Sequence, residues 1–531
     1  MKNFKKMLLC LCCLSIIAYS CKEEPTPSPK MSISIQSELT VKEEGTATLT
    51  ATLTPSDANA AITWASDNPL VATVTAIGTG GTATVTGVKE GITIIYAKSG
   101  NITSDACVVT VTKKIIECTD CPPPQSIKQA RSEKRGVSFS FQMRDDVELL
   151  SSSVSWSYNW GDGIAEWINV LFKEHEMDYF PMAWNSVNKD RIRAHVQANP
   201  NCKYILAFNE PNLKDQANMT PAEAAAKWHT VKEIAAELNL KIISPAMNYG
   251  TLAGYHDPIK WLDEFFNQPG VSVDDVAGIS IHSYVNMASS AKGFIDSFKK
   301  YGKPIWMTEF CAWEGGPVTL ASQMNYMSQM LNYMESDPDV ARYAWFIPRS
   351  GKYPAGTPPY MALLTSVQPI ALTELGKVFV NISTLDKNAW YVTEAKINAE
   401  HYSNTCVSES VGVGVAFVSG PSIRPTTDPQ DDNANSLELY NFSKDQWVEY
   451  QINVPEEKTY KFKLRHASFR DSEISIDRNG SFAKSLLIPA TGSDTNWETT
   501  ESSIQLPAGK HTLRFTVSTG AICLNWFALL Q

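Results

Sequence analysis

The chain has 531 residues but no apolar run of the about 20 that a membrane-spanning helix needs; the stretch from Met7 to Ala18 stops short. Cations are in deficit. Lys and Arg number 46 against 56 Asp and Glu, a formal charge of −10. That balance argues against nucleic acid and anionic membrane surfaces as partners and leaves a neutral polymer open. Cys118 and Cys121 form one C-x-x-C in a Pro-rich stretch, with no second pair to complete a zinc site. No Gly-rich loop follows a strand as a nucleotide site requires, and no metal constellation stands out. Chemistry without a metal or cofactor is therefore expected.

What the N-terminus does have is a basic start, Met-Lys-Asn-Phe-Lys-Lys, followed by that short apolar run, which is the pattern of a signal peptide. The run ends Ala18-Tyr19-Ser20-Cys21, which resembles a bacterial lipobox with Cys21 as the lipidated residue. Lys22-Glu23-Glu24 then resembles the surface-export signal of Bacteroidetes lipoproteins, and Pro25, Pro27 and Pro29 read as an extended tether. The resemblance implies an outer membrane lipoprotein exposed at the cell surface and held to the membrane by its lipid. Of the eleven cysteines, seven lie beyond the export segment, an odd number, so at least one is unpaired within a monomer.

Composition divides the rest into three modules. Residues 31–113 are rich in Thr, Val, Ala and Gly in short alternating runs, the pattern of a small β-sandwich. A linker over 114–133 follows. Residues 134–383 alternate apolar runs with amphipathic helical segments eight times, which predicts a closed (β/α)8 TIM barrel. One of its helices has a clear start: Thr220 as N-cap, Pro221 behind it and Glu223 at the third position. A second linker spans 384–395. Residues 396–531 return to strands and read as a jelly-roll sandwich, with Asn479-Gly480 as a hairpin turn. A monomer is expected.

In such a barrel the chemistry lies at the C-terminal ends of the strands. Those ends carry Tyr158-Asn159-Trp160, Trp184, Asn209-Glu210, Asn248, His282, Tyr284, Glu309 and Trp345. Aromatic faces pack against the CH faces of sugar rings, while amides and carboxylates meet the hydroxyls. Glu210 and Glu309 are the candidate catalytic pair, since glycoside hydrolysis uses one protonated acid and one ionised carboxylate. Asn209, His282, Tyr284, Trp184, Trp345 and Tyr158 are candidate substrate contacts, with Trp156 and Trp160 on the same face as Tyr158 and Trp313 beyond Glu309.

Several segments carry a resemblance to known families. Ile62 to Val74 and Val85 to Gly91 resemble the group 2 bacterial Ig-like domain. Ser157–Gly161, Phe180–Trp184, Leu206–Asn212, Ala217–Trp228, Ser244–Ala246, Ile281–Tyr284 and Gly302–Phe310 resemble glycoside hydrolase family 128. That resemblance implies a secreted, retaining endo-β-1,3-glucanase with Glu210 as acid/base, Glu309 as nucleophile and Asn209 on the sugar 2-hydroxyl. A raised pKa is expected at Glu210, from the charge of Glu309. Spacing alone leaves two alternatives: a related glycosidase on another β-linkage, and a non-catalytic surface glycan-binding protein. Ile397–Tyr402, Gln446–Tyr450, Pro489–Gly492 and Leu524–Phe527 resemble carbohydrate-binding module family 6. By that resemblance Asn525 and Trp497 contact glycan. The family's structural calcium uses an early acidic pair, of which Glu400 matches one while Asn398 replaces the other.

Overall fold

The computed structural model describes residues 31–55, 61–112, 129–408, 417–431, 433 and 435–531. Cys21, the tether, Cys118 and Cys121 lie outside the described residues. The chain divides into two compact units at Ile116/Glu117. In the first, a five-stranded sheet (Glu38–Lys42, Gly91–Ser99 and Cys107–Thr112 among its strands) and a three-stranded sheet (Thr46–Thr50, Ala72–Ile77, Thr82–Gly87) share a core of Leu49, Val85, Ile95 and Val109. The half-buried Trp64 donates its indole N–H to the Gly80 carbonyl at 2.8 Å.

The second unit opens with nine parallel strands: β1 Arg135–Ser138, β2 Trp156–Tyr158, β3 Asp178–Tyr179, β4 Met182–Ala183, β5 Tyr204–Asn209, β6 Lys241–Ala246, β7 Val276–Val285, β8 Ile305–Glu314 and β9 Val340–Trp345. Eight helices alternate with them: α1 Arg144–Leu150, α2 Glu166–Glu174, α3 Lys189–Ala198, α4 Pro221–Leu238, α5 Pro258–Phe266, α6 Ala288–Phe298, α7 Leu320–Ser336 and α8 Glu374–Asn381. The order in the sheet is β3-β2-β1-β9-β8-β7-β6-β5-β4. This corrects the expected closed (β/α)8 barrel: the ladder is an open, curled sheet with β3 and β4 at its two edges. The cause lies in the segment read as the third strand. It breaks at Phe180-Pro181, where Pro181 has no N–H to give to the ladder. Trp156 and Ser157 pair with the piece before the break, and Leu206 and Ala207 with the piece after it.

The interior of the curl is aromatic and tight. Gly136 permits it: a Cβ there would stand 2.5 Å from the indole of Trp156 on the neighbouring strand. Gly278 does the same for Trp306, with 2.6 Å. Below the site, the Arg342 guanidinium is boxed by Trp156, Phe180, Tyr204 and Trp306, with ring centroids 5.3–5.9 Å away. Cation–π attraction from four faces offsets part of what that charge loses in water. On the outside, α4 forms as its capping box dictates, with Thr220 accepting from the Glu223 N–H and Glu223 from the Thr220 N–H. Its buried Trp228 packs edge-on to Phe208 of β5, which turns the next residue, Asn209, inward.

Residues from Tyr391 onward form two six-stranded, largely antiparallel sheets around Tyr450, Phe462, Phe515 and Phe527. This sandwich packs directly on the curled-sheet domain. Tyr402 donates to the Asn332 side chain of α7 at 2.8 Å, and Asn332 donates to the Ser419 carbonyl at 3.0 Å. Phe417 meets Tyr333 edge-on, and Gln129 donates to the carbonyls of His401 and Tyr402. Among the described residues no helix is long and apolar enough to cross a membrane.

Candidate active site

β5 ends at Asn209, and Glu210 turns the chain away with φ 45°. A non-glycine residue at positive φ is strained, and such strain concentrates where a side chain must be aimed. Glu210 Oε1 accepts from Asn248 Nδ2 at 3.0 Å and lies 2.9 Å from His282 Nδ1. Asn212, also in this turn, donates to the Asn248 carbonyl at 2.6 Å and so fixes the residue that fixes Glu210. Across the mouth, Glu309 stands on β8 in register with His282 of β7. Its Oε1 accepts from Trp160 Nε1 at 2.6 Å and Tyr158 OH at 2.9 Å, and its Oε2 accepts from Tyr284 OH. His282 Nδ1 is 3.5 Å from that same Oε2. One ligand-type atom each from Glu210, His282 and Glu309 lies within 4.8 Å of the others. The three could hold a cation, and two carboxylates so close could equally serve as the carboxyl pair that glycoside hydrolysis uses.

All three are buried, Glu210 at 5% exposure, Glu309 at 4% and His282 at 0%. Burial pushes the Glu309 carboxyl up, and the charge of Glu210 adds to this while His282 opposes it. Burial also pushes Glu210 up, but the hydrogen bond and charge of His282, with the Asn248 amide, outweigh it and hold the carboxyl below the usual range. Burial lowers His282, yet the charge of Glu309 and the bond to Glu210 raise it overall. The raised Glu210 expected from the sequence is thus corrected: the His282 imidazole 2.9 Å away and the Asn248 amide bring it down against its burial. Tyr158 and Tyr284 are pushed well above the ordinary phenol range, by burial first and Glu309 second, so they remain O–H donors.

The other sequence candidates divide. Tyr158 is fully buried; it grips Glu309 and offers no face to substrate. Trp345 is fully buried and donates to the Met361 carbonyl, packed between Phe310 and Phe379, so the platform expected there is corrected to core. Trp184 is half-buried at the exit of β4. Asn209 donates to Gln216 at 3.2 Å and leaves its Oδ1 buried without a partner, an acceptor free for a hydroxyl. Trp160 and Asn248 hold the carboxylates, and Trp313 packs against Phe346 and Tyr353 beside Tyr284. Gln216 and Phe346 escaped notice; no local pattern singles out Gln216, whereas Phe346 directly follows the last strand.

In the sandwich, Asn525 is fully buried and donates to Asp428, which is itself gripped by Arg465 at 2.7 and 2.8 Å. Trp497 is 7% exposed and donates to Thr427. In place of the glycan contacts expected of them, both are buried and spend their donors inside the sandwich. Glu400 Oε2 is a buried acceptor without a partner, the kind of atom a cation satisfies. However, Asn398 turns its Nδ2 donor to Glu400, and Lys396 already neutralises the neighbouring Asp431. These residues do not fit calcium.

Comparison with known proteins adds to the geometry. Residues 136–379 match the glycosyl hydrolase catalytic core, 416–531 carbohydrate binding module family 6, and 30–111 the bacterial Ig-like domain of group 2. A solved GH128 subgroup II endo-β-1,3-glucanase of Pseudomonas viridiflava is 33% identical, covering 47% of this chain and 98% of its own, with TM-score 0.43. The corresponding enzyme of Sorangium cellulosum is 32% identical over 46% and 97%, with TM-score 0.41. Alkali-sensitive linkage protein 1 of Schizosaccharomyces pombe is 24% identical over 264 residues. The match covers 47% of this chain and 45% of that curated relative, so the chain spans less than half its length.

Proposed function

We propose, for a chain that belongs to the glycoside hydrolases with a GH128-type catalytic domain, that it is a retaining endo-β-1,3-glucanase with Glu210 as acid/base and Glu309 as nucleophile. The single observation that carries the mechanism is the closeness of the two carboxylates, with oxygens within 4.8 Å. Retaining enzymes hold their carboxyl groups about 5–5.5 Å apart, whereas inverting ones leave about 6.5–9.5 Å for a water. The linkage is supported by two endo-β-1,3-glucanases that share about a third of their residues with this domain along nearly their whole length.

The donors divide the labour. Tyr158, Trp160 and Tyr284 keep Glu309 aimed, and the bonds from Tyr284 and Trp160 oppose the burial that raises its carboxyl. A sugar entering the site displaces water and brings Glu210 against the bridging oxygen. Glu210 delivers a proton to the leaving group, and His282, 2.9 Å away, is placed to exchange a proton with it. Glu309 attacks C1, and its negative charge is consumed in the ester bond. Glu210, now ionised, takes a proton from the water that hydrolyses the glycosyl-enzyme. Asn209, with its free Oδ1, is the group for the 2-hydroxyl.

The test is to incubate the protein with linear β-1,3-glucan, β-1,4-glucan and mixed-linkage glucan and to follow products by chromatography and their first-formed anomer by NMR. Internal cleavage of β-1,3-glucan with β-anomer formed first is expected. First-formed α-anomer would overturn retention, and exclusive release of terminal glucose would overturn the endo reading.

A further inference from the structure

The two sides of the mouth differ in their aromatic residues. On the Glu309 side, Trp160, Phe346, Trp313 and Tyr353 touch one another in sequence, all half-buried. On the Glu210 side, beside the half-buried Trp184, one large ring is mostly exposed: Tyr249, 61% exposed, immediately after the Asn248 that grips Glu210. Its position is fixed from every direction. The Tyr249 N–H donates to Asn248 Oδ1 at 2.8 Å, the Asn248 carbonyl is held by Asn212, and Gly250 exchanges hydrogen bonds with His256. The ring itself leans on Phe294 of α6, with centroids 5.0 Å apart and planes at 41°. An exposed tyrosine on a slack loop is ordinary; one whose backbone is pinned and whose ring is braced presents a fixed apolar face to water.

In a retaining glycosidase the acid protonates the departing oxygen, so the leaving group lies on the acid's side. Resting on the assignment of Glu210 as that acid, we infer that Tyr249 is the platform for the leaving-group sugar, and equally for an incoming acceptor sugar. Its flat face packs against the CH face of a pyranose. Because deglycosylation reverses the geometry of glycosylation, an acceptor hydroxyl bound there attacks C1, hands its proton to Glu210 and releases Glu309. The outcome is transfer in place of hydrolysis.

The test compares substrates with and without a sugar on that side. A β-1,3-linked glucobiosyl β-fluoride loses only fluoride, whereas a β-1,3-glucan oligosaccharide loses a sugar. Tyr249→Ala should lower kcat/KM on the oligosaccharide roughly tenfold while changing fluoride hydrolysis less than about twofold. It should also lower, by a similar factor, the ratio of transfer to hydrolysis when glucobiose is added to the fluoride reaction. Tyr249→Phe, which keeps the ring, should behave as the native protein does. An equal fall on both substrates would overturn the platform, because the ring would then be propping Asn248 and Glu210. So would no fall on either. A native protein inactive on both substrates would remove the glucanase reading itself, a result that does not depend on Tyr249.

Discussion

Two polar clusters lie at comparable depth in this molecule, and their charge balance differs. At the mouth of the curled sheet, two carboxylates share one imidazole, and His282 Nε2 and Asn209 Oδ1 are left buried without partners. In the C-terminal sandwich, the charges are matched: Asp428 with Arg465 in a two-pronged pair, Glu438 with Arg424, and Asp431 with Lys396. Burial alone would raise Asp428, yet the bonds and charge of Arg465, with Asn525, bring it below its usual range. Surplus negative charge out of water is expensive, and a fold retains it where a reaction uses it; matched charge fixes shape.

The largest expected effect comes from removing the surplus. Glu309→Ala should abolish turnover of every glycoside, a loss on the order of a millionfold. Glu210→Ala should cost about a hundred- to ten-thousandfold on glucan but spare aryl glycosides whose leaving groups need no proton. Added azide should then restore turnover and yield a β-glycosyl azide, detectable by NMR. If azide instead gave β-azide from the Glu309 variant, the two roles would be exchanged.

Breaking the matched pair should cost stability and not chemistry. Arg465→Met alone strands a buried carboxylate, and urea unfolding should register a loss of about 3–5 kcal/mol. Adding Asp428→Asn removes the stranded charge and should recover most of it, with kcat on glucan unchanged throughout. A double variant no more stable than the single one would contradict the account of Asp428 and Arg465 as a self-contained pair.

The smallest effect concerns one group of the sandwich that has no cation. Burial pushes Glu400 up to about 8 from 4.5. Between those values the folded chain holds a proton that the unfolded chain has released, so stability falls as pH rises through that window. The upper bound is about 5 kcal/mol, with full stability at and below the ordinary glutamate range. Glu400→Gln should flatten the dependence, melting higher than the native protein near pH 8 and close to it near pH 4.5 in matched thermal scans. Identical slopes for the two would show that Glu400 ionises in both states alike.

Strand–helix alternation and the place of Glu210 just past a strand end were legible because both are local patterns, whereas Glu309 stands inside the longer β8. Closure of the sheet was not. It turns on whether residues 178–183 run through Pro181 as one strand, and a proline's missing N–H acts on neighbours some twenty residues away on either side. The lowering of Glu210 was hidden for the same reason: His282 meets it across 72 positions of sequence. Its place at a strand end suggested Trp345 for the mouth, but its indole turns to Met361 and Phe379, and Phe346 faces Tyr284 and Trp160 in its place. Asn525 sits at the strand position that the resemblance implied, yet its amide meets Asp428, 97 residues away in sequence, and no local pattern announces that contact.

Helix α7 serves two masters. One side lines the curled sheet through Met327, Met330 and Leu331, while Ser328 and Asn332 bond the Ile423 N–H and the Ser419 carbonyl of the sandwich. Arg135, on the first strand, is likewise tied to the carbonyls of Phe379, Ile382 and Ser383, where one part hands over to the next. Recombination between genes moves modules cleanly when the joint is slack. Here the joint is not slack: exchanging the sandwich alone would strand Ser328 and Asn332 on the back of α7.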